Sequence, residues 1–141
     1  MSRLAAAAAL AFLTLQAPPG DLGRMQGTWT MLEGVAGGAP LPAGYLASMR
    51  RVLKGTTLTV TLNDGIFFVA EIKLDPKATP KTIDYHMTAG FQPGAEQLGI
   101  YELRGDTLRS CFGAPGAPRC TEFKSVPGDR RTVAVWVKAK P

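Results

Sequence analysis

The chain has 141 residues, 45% of them hydrophobic and 19% charged, with a formal net charge of +5. That length leaves room for one domain, and that balance excludes an intrinsically disordered chain. The 16 Gly and 11 Pro are spread between apolar runs, which excludes a low-complexity tract and points to short elements joined by tight turns.

At the N-terminus Arg3 supplies a positive charge, Leu4 to Leu15 form an apolar run, and Ala17 offers a small residue for cleavage. Residues 1–17 are therefore read as a signal peptide, and the mature chain is expected in the periplasm or outside the cell. The run is shorter than the roughly 20 apolar residues that a spanning helix needs, so the protein is not expected to span a membrane. Loss of Arg3 leaves 15 basic against 11 acidic residues, a mild net charge of +4. Basic residues cluster at Arg50, Arg51 and Lys54, at Lys73, Lys77 and Lys81, and at Arg130, Arg131, Lys138 and Lys140. They alternate with strand positions or lie in turns, which predicts solvated outer faces. No aromatic stacking motif accompanies them, so nucleic acid is not an expected partner.

Residues 18–24 read as a linker with one helical turn, Asp21 standing as its N-cap. The domain proper is expected over residues 25–141. It opens on GTWTMLE (27–33), and TTLTVTL (56–62) follows with Leu58, Val60 and Leu62 alternating against threonines. Period two with β-branched residues predicts half-buried strands. Between these two runs, residues 40–53 carry Tyr45, Leu46, Met49, Val52 and Leu53 at helical spacing after Pro42, predicting a short helix whose end passes into strand. Further strand runs follow at 66–74, 82–87, 97–104, 107–112, 120–125 and 132–138. Tight turns at Asn63-Asp64-Gly65 and Arg104-Gly105-Asp106 join sequential neighbours as hairpins.

Eight meandering strands close most easily on themselves, because closure removes both exposed edges. The predicted fold is all-β, an eight-stranded antiparallel up-and-down barrel with one short helix between its first and second strands. Alternation turns Leu58 and Ile83 inward together with Met31, Val60, Phe68, Ile72, Tyr85, Met87, Leu108 and Phe112. The last eight are the candidate ligand-binding residues of the interior. A barrel of this size either fills with its own side chains or keeps space for one small ligand.

Several stretches carry a family resemblance: MQGTWTML, GAPLPAGYL, LKGTTLTV, KLDPKATPKTID, LGIYELRGDTLRSCF and GAPRCTEF, in this order. From Asp21 to Lys138 the chain resembles an exported lipocalin-like domain family of unknown function, abundant in planctomycete bacteria. Cys120 departs from that pattern, standing where Pro or another turn residue is expected. The resemblance implies that Gly27 and Trp29 open the first strand, that Trp29 closes one end of the barrel, and that a basic residue of the last strand packs over it. Lys138 is the candidate for that residue, with Arg131 as the alternative register.

The remaining motifs carry less. Cys111 and Cys120 flank an eight-residue loop between expected antiparallel neighbours, which in an oxidising compartment allows a disulfide; two free thiols are the alternative. His86 is the single His, so neither a metal site nor a hydrolytic triad is expected, and no cofactor is implied. It falls on the same strand face as Asp84 and opposite Tyr85, which predicts a solvent-facing side chain. Nothing nominates Ser110 as a nucleophile. The Arg104-Gly105-Asp106 tripeptide is explained by its turn, and residues 34–40 lack the Lys of a phosphate loop.

The expected function is that of a monomeric exported barrel, not an enzyme, that binds a small apolar ligand in its interior. The alternative is a filled barrel that meets an envelope protein through outer loops, with residues 90–97 and 113–119 as the candidate surface.

Overall fold

The computed structural model describes residues 19–140, so the signal peptide expected over residues 1–17 lies outside the described residues. In chain order the elements are α1 (Asp21–Arg24), β1 (Gly27–Ala36), β2 (Ala39–Pro40), α2 (Ala43–Ser48), β3 (Met49–Lys54), β4 (Thr57–Leu62), β5 (Gly65–Asp75), β6 (Lys81–Gly90), β7 (Glu96–Arg104), β8 (Thr107–Phe112) and β9 (Thr132–Lys138). Strands β1, β3, β4, β5, β6, β7, β8 and β9 pair in that order, all antiparallel. A further pairing of β1 with β9 closes them into an eight-stranded barrel. The two-residue β2 is an extra strand folded back on the end of β1.

Turn chemistry sets the meander. Asn63 and Asp64 both adopt left-handed backbone, φ 50° and 65°, as a two-residue turn joining right-twisted strands requires. Asn and Asp tolerate that conformation because their short polar side chains bond locally. With these turns fixed, alternation sends Leu58 and Val60, then Phe68, Ala70 and Ile72, then Ile83, Tyr85 and Met87 into one continuous buried core.

Two expected elements differ. The run at 120–125 is not a strand; the barrel takes its eighth strand from Met49–Lys54. The helix expected over 40–53 is accordingly confined to Ala43–Ser48. Met49, Arg51 and Leu53 face inward and are buried, while Arg50, Val52 and Lys54 face out. An arginine at an inward position hides this alternation and leaves the apolar residues at helix-like spacing. Residues 113–131 instead form a loop over the outer face of β7 and β8, where Phe123 packs against a small cluster of Ile100, Cys111 and Cys120. The Arg109 guanidinium lies 4.0 Å from the Phe123 ring centroid, and Arg119 donates to Asp84 (2.6 Å) and to the Gly99 carbonyl (2.8 Å).

The disulfide expected between Cys111 and Cys120 is not formed: both are buried free thiols. The expectation placed Cys120 at the start of a strand beside β8, whereas it arrives on a loop held by Arg119. Burial, and after it the neighbouring Cys111 thiol, push the Cys120 thiol up to about 12.

Candidate functional site

At its lower end the barrel is tied to α1 through Asp21 and the Arg24 carbonyl. Asp21 is not an N-cap, since Gly20 holds that position; it lies in the first turn with its carboxylate turned toward the barrel. Lys81 Nζ stands 2.9 Å from Asp21 Oδ2, and the Tyr101 hydroxyl donates to the same oxygen at 2.7 Å. Burial works against the charge on Asp21, but the hydrogen bonds from Lys81 and Tyr101 outweigh it and hold the carboxyl below its ordinary value. Burial, then the bond to Asp21, raises the Tyr101 phenol well above its ordinary value.

Trp29 is fully buried at this end, and its indole Nε1 donates to the Met25 carbonyl at 2.9 Å. Lys138 Nζ lies 5.5 Å from the Trp29 ring centroid and donates to the Arg24 carbonyl at 3.0 Å. The structure therefore puts Lys138, not Arg131, over the tryptophan. Gly27 has φ 101°, a conformation that a side chain disfavours, and this lets β1 start directly after α1.

The upper half of the barrel is open. A cavity of about 330 Å³ is lined by Met31, Val60, Phe68, Tyr85, Met87 and Phe112 from the strands. Six of the eight sequence candidates are thus brought together. Ile72 and Leu108 are buried in the core but do not line the cavity. Aromatic rings run from the inside to the rim: Phe112 stacks on Tyr85 (centroids 4.2 Å apart), Tyr85 meets Phe68 (5.8 Å), Phe68 meets Phe67 (5.6 Å), and Phe67 stacks on Phe91 (5.9 Å). Gly99 makes room for the first of these rings, because a Cβ there would come within 2.5 Å of the Phe112 ring.

Sequence reasoning missed several cavity residues. Leu41 and Tyr45 come from the α2 region, and Trp136 and Ala134 from β9. Trp136 was recoverable, since TVAVWVK alternates and Trp136 shares a face with Ala134. Ser110, also on the lining, is buried, while the exposed His86 ring contacts Glu96 outside, so these two stand on opposite faces of the barrel wall. Among the described residues no group of three or more His, Cys, Asp and Glu side chains is arranged to hold a metal.

The expected outer-face position of Arg51 is corrected. Arg51 is 1% exposed, inside the barrel, with Trp29 and Val60 as its cross-strand neighbours. Its two terminal guanidinium nitrogens are buried with no hydrogen-bond partner among the described residues. Arg130, by contrast, is exposed and contributes to the cavity lining from a left-handed position, φ 55°. Among the described residues no Asp or Glu lines the cavity.

No family model matches this chain, and neither a curated protein nor a solved structure matches it.

Proposed function

We propose that this protein is an exported barrel that binds a small, largely apolar ligand in its cavity, as a binding protein and not an enzyme. The observation that carries the reading is the half-open cavity lined by aromatic and methionine side chains. Such a lining favours apolar ligands, and flexible methionines adapt to their shape. At about 330 Å³ the cavity lies at the lower end of the range for small-molecule pockets. The apolar run of residues 4–15 supports export, and the quoted motifs support kinship with the exported lipocalin-like domains they resemble.

Trp136 lines the cavity and serves as its reporter. Native mass spectrometry of the protein purified from its own source is expected to show a retained small molecule, and decanol is expected to change the tryptophan emission saturably. A mass equal to that of the bare chain, together with no response to decanol, overturns the reading.

A second reading is favoured by the rim. Ile66 is 63% exposed and Phe91 44% exposed, next to the loop of residues 91–95. Apolar side chains held at a barrel mouth suit an envelope protein partner. A co-purifying protein that is lost on Phe91→Ser supports this reading, and a bare barrel with an occupied cavity argues against it.

A further inference from the structure

We infer that the cavity's ligand is an acid, with a carboxylate-type head directed toward Arg51 and an apolar body against the aromatic rings above. The inference rests on the cavity being a binding site and names the class of ligand it takes.

Three observations carry it. First, Arg51 occupies an inward position of β3, two residues beyond Met49, which lines the cavity, and directly across from Val60, which also lines it. Its side chain therefore starts one step below the cavity on the same interior surface. Second, both terminal nitrogens of its guanidinium are buried without an acceptor among the described residues. A guanidinium stays protonated at any physiological pH, so it cannot escape burial by losing its charge. A buried charge without a partner is costly to the fold, and natural interiors pair such groups. Third, among the described residues nothing acidic lines the cavity, and the inward-turned carboxylate of Asp21 is already engaged by Lys81 and Tyr101 at the closed end. None of the described residues supplies an acceptor for Arg51, and the open route to the interior is the cavity.

A carboxylate matches the planar fork of a guanidinium with two parallel hydrogen bonds. Arg130 on the lining adds a second positive charge that draws an anion toward the opening. Met49 lies between the present cavity and Arg51 by position along β3, Val60 stands beside Arg51 at the same level, and the flexible Met49 side chain can move aside for the head group. The apolar body then rests against Tyr85, Phe112 and Phe68.

Decanoate and decanol differ in the head group and little else, and both suit the cavity's size. Each is titrated into the whole protein with Trp136 emission and the melting temperature as readouts, for the wild type, Arg51→Met and Arg130→Gln. The wild type is expected to bind decanoate at least about tenfold more tightly than decanol, the scale of one charge-assisted head-group contact. Arg51→Met is expected to lose this preference, to keep its decanol affinity, and to melt higher when empty because an unpaired buried charge has been removed. Arg130→Gln is expected to keep most of the preference.

Equal binding of the two probes by the wild type overturns the acid and leaves the cavity reading standing. Absence of binding by both overturns the cavity reading and the acid with it. A preference that survives in Arg51→Met and disappears in Arg130→Gln overturns the assignment to Arg51. An Arg51→Met protein that melts lower when empty, with its preference unchanged, marks Arg51 as structural and overturns the inference. Should that variant not fold, Arg51→Lys and the wild-type comparison decide: equal binding of both probes by the wild type overturns the acid, and a preference undiminished in Arg51→Lys overturns the bidentate contact.

Discussion

At the closed end of the barrel, polar groups come with partners: Asp21 with Lys81 and Tyr101, the Trp29 indole with the Met25 carbonyl, and Lys138 with the Arg24 carbonyl. Toward the open end the same strands carry a cavity, a row of aromatic rings and exposed Ile66 and Phe91 at the rim, and between the two ends Arg51 has no acceptor among the described residues. One sheet thus keeps a packed half and a hollow half, with a buried charge between them that no described residue satisfies. Satisfaction at one end supplies the stability that lets the other end remain open, since hollow space and unpaired charge both cost a fold.

The contrast is broken most severely at Trp29. Trp29→Ala removes the largest fully buried side chain and leaves the Met25 carbonyl without its donor. The expected loss is about 3 to 5 kcal/mol by urea unfolding, the usual range for deleting a buried large aromatic. Phe91→Ala at the rim is expected to change stability by no more than about 0.5 kcal/mol, as for other exposed positions. Similar losses at the two sites would mean that the mouth is packed like the base.

A smaller effect is expected at the boundary between the halves. Gly99→Ala brings a Cβ to within 2.5 Å of the Phe112 ring and 2.9 Å of the Cys111 carbonyl oxygen. The ring has to swing toward the cavity, and overpacking of this kind costs about 1 to 3 kcal/mol. The same change is expected to weaken decanol binding, because Phe112 is part of the lining. Unchanged binding with lowered stability would show that the ring moves elsewhere.

The sequence made the regularly alternating strands easier to read than β3. Leu58, Val60, Ile83, Tyr85 and Met87 alternate openly, so their strands and inward faces were legible. The β3 strand was not, because Arg51 at an inward position breaks the apolar pattern and leaves Tyr45, Leu46, Met49, Val52 and Leu53 at helix-like spacing. Residues 120–125 alternate as a strand does, yet the closure of β1 on β9 leaves them no partner, and Phe123 covers the outside of the barrel instead. Composition identifies a charged residue, and only the register shows which side of the wall it stands on. The same residue that obscured the strand is the one on which the proposed acid ligand rests.

The least disruptive probe of the closed end is pH. The folded-state carboxyl of Asp21 is held below its ordinary 3.8 by Lys81 and Tyr101 against the effect of burial. Around and just below pH 3.8 the unfolded chain therefore binds more protons at this residue than the folded chain does. Its contribution to stability is complete above 3.8 and is lost as pH falls through the depressed folded value. Asp21→Asn removes this contribution, at a cost of about 1 kcal/mol near neutral pH, the scale of a net hydrogen bond. The wild type and Asp21→Asn are thus expected to differ in urea midpoint at pH 7 and to converge as the pH falls below 3.8. Other depressed carboxylates, among them Glu71, Glu102 and Asp129, titrate in both proteins and cancel in the difference. A difference that stays constant down to pH 2 would mean that Asp21 holds the base by shape and not by charge.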